Sequence, residues 1–184
     1  MRRSFAIMAF ALTLAATASP SGFAQSVVDQ TTPAKAVVLG FDGLNNGANF
    51  KIYKADGFSV RRVKRGWVVD GTYGNPAPMI DFDVPANSEV GKAVTVTESS
   101  REFSLDSIDI TSSISAVNWE FVGKLKGQTL YTDKGQVPNP MGGFTTVDNP
   151  DAATLVDSVE ITLTGLKTAC CDNHIGLDNI VVEK

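Results

Sequence analysis

The chain has 184 residues with a formal net charge of −4 at pH 7, and 43 % of them are hydrophobic and 20 % charged. An acidic chain is repelled by nucleic acid and by anionic lipid, so those partners are excluded as an expectation. The length suits one domain built around one core.

The chain opens Met1-Arg2-Arg3, follows with an apolar run over residues 5–18, and then reads Ser19-Pro20-Ser21-Gly22-Phe23-Ala24. A basic start, a short apolar stretch and a small-residue zone are the three parts of a secretory signal. The run falls short of the roughly 20 apolar residues that cross a bilayer. Residues 1–24 are therefore read as a signal peptide removed after Ala24, with Ala18 as the alternative, and the destination as secreted, periplasmic or cell-surface. Cleavage at Ala24 takes away Arg2 and Arg3 and no acid, so the charge of −4 moves to near −6. No later stretch is apolar enough for a membrane segment. Residues 25–35 are polar and aperiodic, which reads as a flexible leader, and residues 36–184 as the folded domain.

From there the apolar segments are short, rich in Val, Ile, Phe and Thr, and bounded by Gly, Pro, Asn or Asp, which predicts strands. Segments 80–84, 94–97, 117–125 and 159–164 alternate apolar and polar residues, as strands do with one buried face. In Phe103-Ser104-Leu105-Asp106-Ser107-Ile108-Asp109-Ile110 the apolar phase changes, and a bulge near Asp106-Ser107 would keep all four apolar side chains inward. Further strands are expected at 37–41, 58–63, 129–132, 144–147 and 177–182. About ten strands with regular turns predict an all-β, two-sheet antiparallel sandwich. Residues 70–78 and 137–143, rich in Gly, Pro and Asn, read as loops, where binding residues concentrate.

Three motifs in order, Phe41-Asp42-Gly43-Leu44, Phe103-x-Leu105-x-Ser107-x-Asp109 and Leu177-Asp178-Asn179-Ile180-Val181-Val182, resemble those of secreted bacterial jelly-roll domains akin to carbohydrate-binding modules and galactose-binding-like folds. The likeness spans roughly residues 36–183. It implies a jelly roll whose first and last strands lie together, with a structural Ca²⁺ held by Asp42, Asp178 and Asn179 (Asn45 or Asn46 assisting), since hard oxygen ligands suit that ion. Relatives in the sorted-exoprotein group end in a Pro-Glu-Pro tail. This chain reads Val182-Glu183-Lys184 there, so an anchoring role is not expected.

Sugar binding on such sandwiches uses exposed aromatic faces backed by polar side chains. Tyr73 is the first choice, with Trp67, Asn75 and Arg65 beside it and Tyr53 and Tyr131 as further aromatics. Trp119 shares parity with Val117 and Phe121 and is assigned to the core. Trp67 follows the cationic run Arg61-Arg62-Val63-Lys64-Arg65, where either exposure or burial is open. That run either grips an anionic partner or is a solvated strand edge. Cys170-Cys171-Asp172-Asn173-His174 holds both cysteines and the one histidine. A vicinal disulfide, a transition-metal site and an intermolecular bridge giving disulfide-linked self-association all stay open. No catalytic motif is present, so an enzyme is not expected. The reading is a non-catalytic binding module for a carbohydrate or extracellular matrix polymer. A cell-surface or biofilm adhesion protein stands second, and a small secreted hydrolase third.

Overall fold

A computed structural model describes residues 35–184, and the expected signal peptide and nearly all of the leader lie outside the described residues. Twelve strands follow in order: β1 Ala36–Leu39, β2 Ile52–Ala55, β3 Phe58–Arg62, β4 Val68–Asp70, β5 Met79–Val84, β6 Val90–Glu98, β7 Ser104–Ser112, β8 Val117–Leu125, β9 Gln128–Val137, β10 Phe144–Asp148, β11 Ser158–Gly165 and β12 Asn173–Glu183. They make two antiparallel six-stranded sheets. One runs β10-β7-β12-β5-β4 with β1 also paired to β12, and the other runs β2-β3-β6-β11-β8-β9. This is the expected all-β jelly-roll sandwich, with twelve strands in place of about ten.

The two additional strands, β2 and β4, are short and lack a clean alternation, which is why the sequence leaves them unmarked. The alternating segments do bury one face: Val159, Ile161 and Leu163 of β11 and Ile80, Phe82 and Val84 of β5 all join the core. Aromatic side chains fill the core: Phe58 of β3 meets Phe103, beside β7 of the other sheet, edge-on at 5.3 Å, and within the first sheet Trp67 meets Phe82 edge-on at 4.8 Å between centroids.

In β7 the pairing with β12 steps from Ser107↔Val181 to Leu105↔Val182, leaving Asp106 without an opposite residue. This is the expected bulge, and Phe103, Leu105, Ile108 and Ile110 are all buried. Strand β12 is longer than expected, starting at Asn173. Its first half pairs with β5 and its second half with β1, while β7 runs along its other side. Consequently His174, read as part of a loop, sits on a central strand.

Candidate functional site

The outer face of the first sheet follows from strand alternation. With Ile80, Phe82 and Val84 of β5 turned inward, Asp81 and Asp83 point out, and with Ile175 and Leu177 of β12 inward, His174 and Gly176 point out. On β7, Ile108 and Ile110 face the core and leave Asp109 and Thr111 outside, opposite Thr146 and Phe144 of β10. A Cβ placed on Gly176 would lie 2.5 Å from Met79 Sδ and 2.6 Å from Thr111 Cγ2, so the missing side chain sinks the middle of this face into a floor.

Two loops rise around that floor. In the β4–β5 loop, Asp70 Oδ1 accepts the Thr72 amide at 2.7 Å and the Tyr73 amide at 3.3 Å. Further along, the Asn75 amide donates to Asp178 Oδ2 at 2.6 Å, and Asn75 Nδ2 to Asp109 Oδ2 at 3.3 Å. In the β9–β10 loop, the Gly142 amide donates to the Ser112 carbonyl of β7 at 2.8 Å. Between the loops lies a cavity of about 260 Å³. Tyr73, Met79 and Phe144 give it apolar walls, while Asp70, Thr111, Ser113 and His174 supply polar groups.

Charge gathers at one end of this groove. His174 Nδ1 lies 2.8 Å from Asp83 Oδ1 and 3.7 Å from Asp81 Oδ2. Burial pushes the Asp81 carboxyl up to about 6, with Asp70 and Asp83 adding to the rise and His174 opposing it. A second network sits behind Asn75. Asp178 Oδ1 accepts its neighbour's amide, from Asn179, at 2.8 Å, and Asp109 accepts the Thr146 hydroxyl at 2.6 Å and Asn179 Nδ2 at 3.0 Å. Asn179 Nδ2 also donates to the Asn75 carbonyl. Burial raises Asp178 to about 6 as well, against the pull of the two backbone donors and with Asp109 and Asp42 adding to it.

The expected site residues therefore separate. Tyr73 lines the groove and is 60 % exposed. Trp67 is corrected: it is 0 % exposed, its ring spent on Phe82, so it offers no surface to a ligand. Asn75 holds the Tyr73 loop down on Asp109 and Asp178. Arg65 lies on the β3–β4 connection away from the groove, its carbonyl accepting Lys92 Nζ at 2.8 Å. Tyr131 is buried with its hydroxyl on Asn149, and Tyr53 packs on Phe41, so neither forms an open platform. Trp119 is only partly buried, stacked on Phe121 at 4.6 Å at the margin of the core. Asp178 is buried beside Asn179, whereas Asp42 is exposed. Cys170 and Cys171 are exposed and unbridged, with Sγ atoms 2.8 Å apart.

Sequence reasoning offered His174 only as a metal ligand beside Cys170, Cys171 and Asp172, and missed Phe144, Asp70, Asp81 and Asp83 as site residues. The outward parity of Asp81 and Asp83 was legible; that β5 pairs with β12, which brings them to His174, was not.

No known protein family and no curated protein matches the chain. Among solved structures it is similar to CBM29_1, a family 29 carbohydrate-binding module from Piromyces equi, at a TM-score of 0.48 and 10 % identity, covering 83 % of this chain and 91 % of that one. It is similar to a CBM29-2 variant complexed with mannohexaose at a TM-score of 0.46 and 14 % identity, covering 83 % of this chain and 93 % of that one. TmCBM61 in complex with beta-1,4-galactotriose gives 0.46 and 8 % identity, over 69 % of this chain and 88 % of that one.

Proposed function

We propose that the domain is a non-catalytic binding module for a carbohydrate, with the groove beside Tyr73 as its site. The observation that carries this reading is the make-up of the groove walls. A sugar ring presents C–H faces and hydroxyl edges, and the groove sets Tyr73, Phe144 and Met79 beside Asp70, Thr111, Ser113 and His174. Its volume of about 260 Å³ lies near the lower end of small-molecule pockets, a scale suited to one ring. Asp70 in the wall, with Asp81 and Asp83 at its end, sets a negative field that favours a neutral or amino-bearing glycan over an acidic one.

A polysaccharide pull-down and glycan-array screen tests the reading. The expected result is saturable binding that falls about tenfold or more in Tyr73→Ala, a loss of the size that a stacked aromatic contributes elsewhere. Because Tyr73 is largely exposed, that variant keeps its fold. Binding to no neutral or amino-bearing glycan, or equal binding by the variant, sinks it.

A structural Ca²⁺ at Asp42, Asp178 and Asn179 belongs to the same proposal. Supporting it, Asp178 and Asp109 are buried close together with Asp42 adding to their field, and no Lys or Arg pairs with them among the described residues. The expected outcome is a melting midpoint lowered by excess chelator and restored by added Ca²⁺. Identical midpoints remove the calcium and leave the groove untouched.

A further inference from the structure

We infer that Asp81, Asp83 and His174 form a binding site for a divalent transition metal ion of the zinc class at the end of the groove. The three side chains stand on two hydrogen-bonded strands rather than on loops. Asp81 and Asp83 are two residues apart on one face of β5, and His174 of β12 is the registered partner of Asp83. Such placement fixes the donor atoms before any ion arrives, which spares the ordering that a loop site requires.

The spacing fits coordination. With metal–ligand bonds of about 2.1 Å, two donors on one ion lie roughly 3.0 Å apart in octahedral and 3.4 Å apart in tetrahedral geometry. The two histidine–carboxylate separations, 2.8 Å and 3.7 Å, bracket those values, and all three donors lie within 4.8 Å of one another.

Asp81 supplies the independent sign that a cation belongs there. It is 8 % exposed, and His174 is the one cationic side chain within 4 Å of its carboxylate among the described residues, at 3.7 Å. Burial penalises its charge, and Asp70 and Asp83 add like charge around it that His174 only partly offsets. The ammonium across the same depression, Lys92, is directed to the Arg65 carbonyl instead. A divalent ion offsets that field, and an imidazole among the donors selects zinc-like metals over Ca²⁺, which takes oxygen ligands. On binding, the ion takes the Nδ1 lone pair of the neutral imidazole, whose one N–H then sits on Nε2. Three protein ligands leave at least one coordination position open.

The test is calorimetric titration of zinc chloride into the tag-free chain carrying Cys170→Ser and Cys171→Ser, so that the exposed thiols contribute no zinc binding. We expect one equivalent of zinc, undisplaced by equal Ca²⁺, with affinity falling tenfold or more in His174→Gln and in Asp81→Asn. His174 is the one histidine of the sequence, so its imidazole resonances report the ion directly, shifting with zinc and broadening with cobalt. His174 is exposed, and its replacement leaves the core intact. Absence of saturable zinc binding, unmoved imidazole resonances, or undiminished binding in both variants overturns the site. None of these outcomes bears on glycan binding through Tyr73.

Discussion

Glu98, the last residue of β6, shows how a single side chain holds a connection in place. Its carboxylate accepts the backbone amides of Ser100 and, at 2.7 Å, Arg101, while Lys184 Nζ stands 3.6 Å away. These donors, the Ser100 amide first, hold the carboxyl below its ordinary value. A depressed folded value gives a stabilising contribution that is present above about pH 4.3, where an unfolded Glu ionises, and lost as pH falls through the folded value. Glu98→Gln is therefore expected to melt lower than the parent at neutral pH, with the gap closing in strong acid. Melting curves from pH 7 to pH 2 check this, and a gap that does not vary with pH would falsify it. The same scale shows where reading residues one at a time stops. Trp67 was open between surface and core because a Gly turn and four cations precede it. Phe82, which encloses it, lies fifteen positions later on a strand whose placement is a tertiary fact. Its Nε1 has no hydrogen-bond partner among the described residues, so shape alone holds the ring there.

At the scale of elements, alternation made most strands legible and their partners illegible. β11 buries every second residue, and β5 and β8 carry the same apolar–polar alternation in sequence, a signal that can be read directly. That β12 lies between β5 and β7 depends on loop lengths and core shape, and with it went the meeting of His174, Asp81 and Asp83. Tyr73 is legible as a candidate because it combines an aromatic face with a loop, whereas Phe144 lies in a segment read only as a short strand. Gly176 tests the element that makes the groove. Its strand backbone accepts any residue, but a methyl group there meets Met79 Sδ and Thr111 Cγ2 well inside van der Waals contact. Gly176→Ala should keep the fold at a cost of roughly 1–3 kcal/mol, the usual penalty for overpacking, and raise the groove floor enough to weaken glycan binding. An equally stable variant that binds as well as the parent would show that Met79 swings aside and that the floor is not set by Gly176.

At the scale of the whole molecule, the first and last strands close the sandwich. Ala36 pairs with Glu183 and Val37 with Val182, and the Lys35 amide donates to the Lys184 carbonyl at 3.0 Å. This pairing joins the two ends of the described chain, so in the native order it forms only after the longest loop closure the domain requires. The connection from β11 to β12, by contrast, passes between sheets and makes no hairpin. A circular permutant follows: Lys184 joined to Lys35 through Asn-Gly, the two-residue turn suited to adjoining antiparallel strands, with new ends between Ala169 and Cys170. It turns β12 and β1 into a local hairpin and leaves every strand pair that does not include β12 in its present order. The permutant is expected to melt in one cooperative transition and to refold faster than the parent, with little change in unfolding rate. Stopped-flow refolding measures both arms. Slower refolding, or loss of the single transition, would mean that the β11–β12 connection contributes to the folding nucleus and that closure of β1 on β12 is not the slow step.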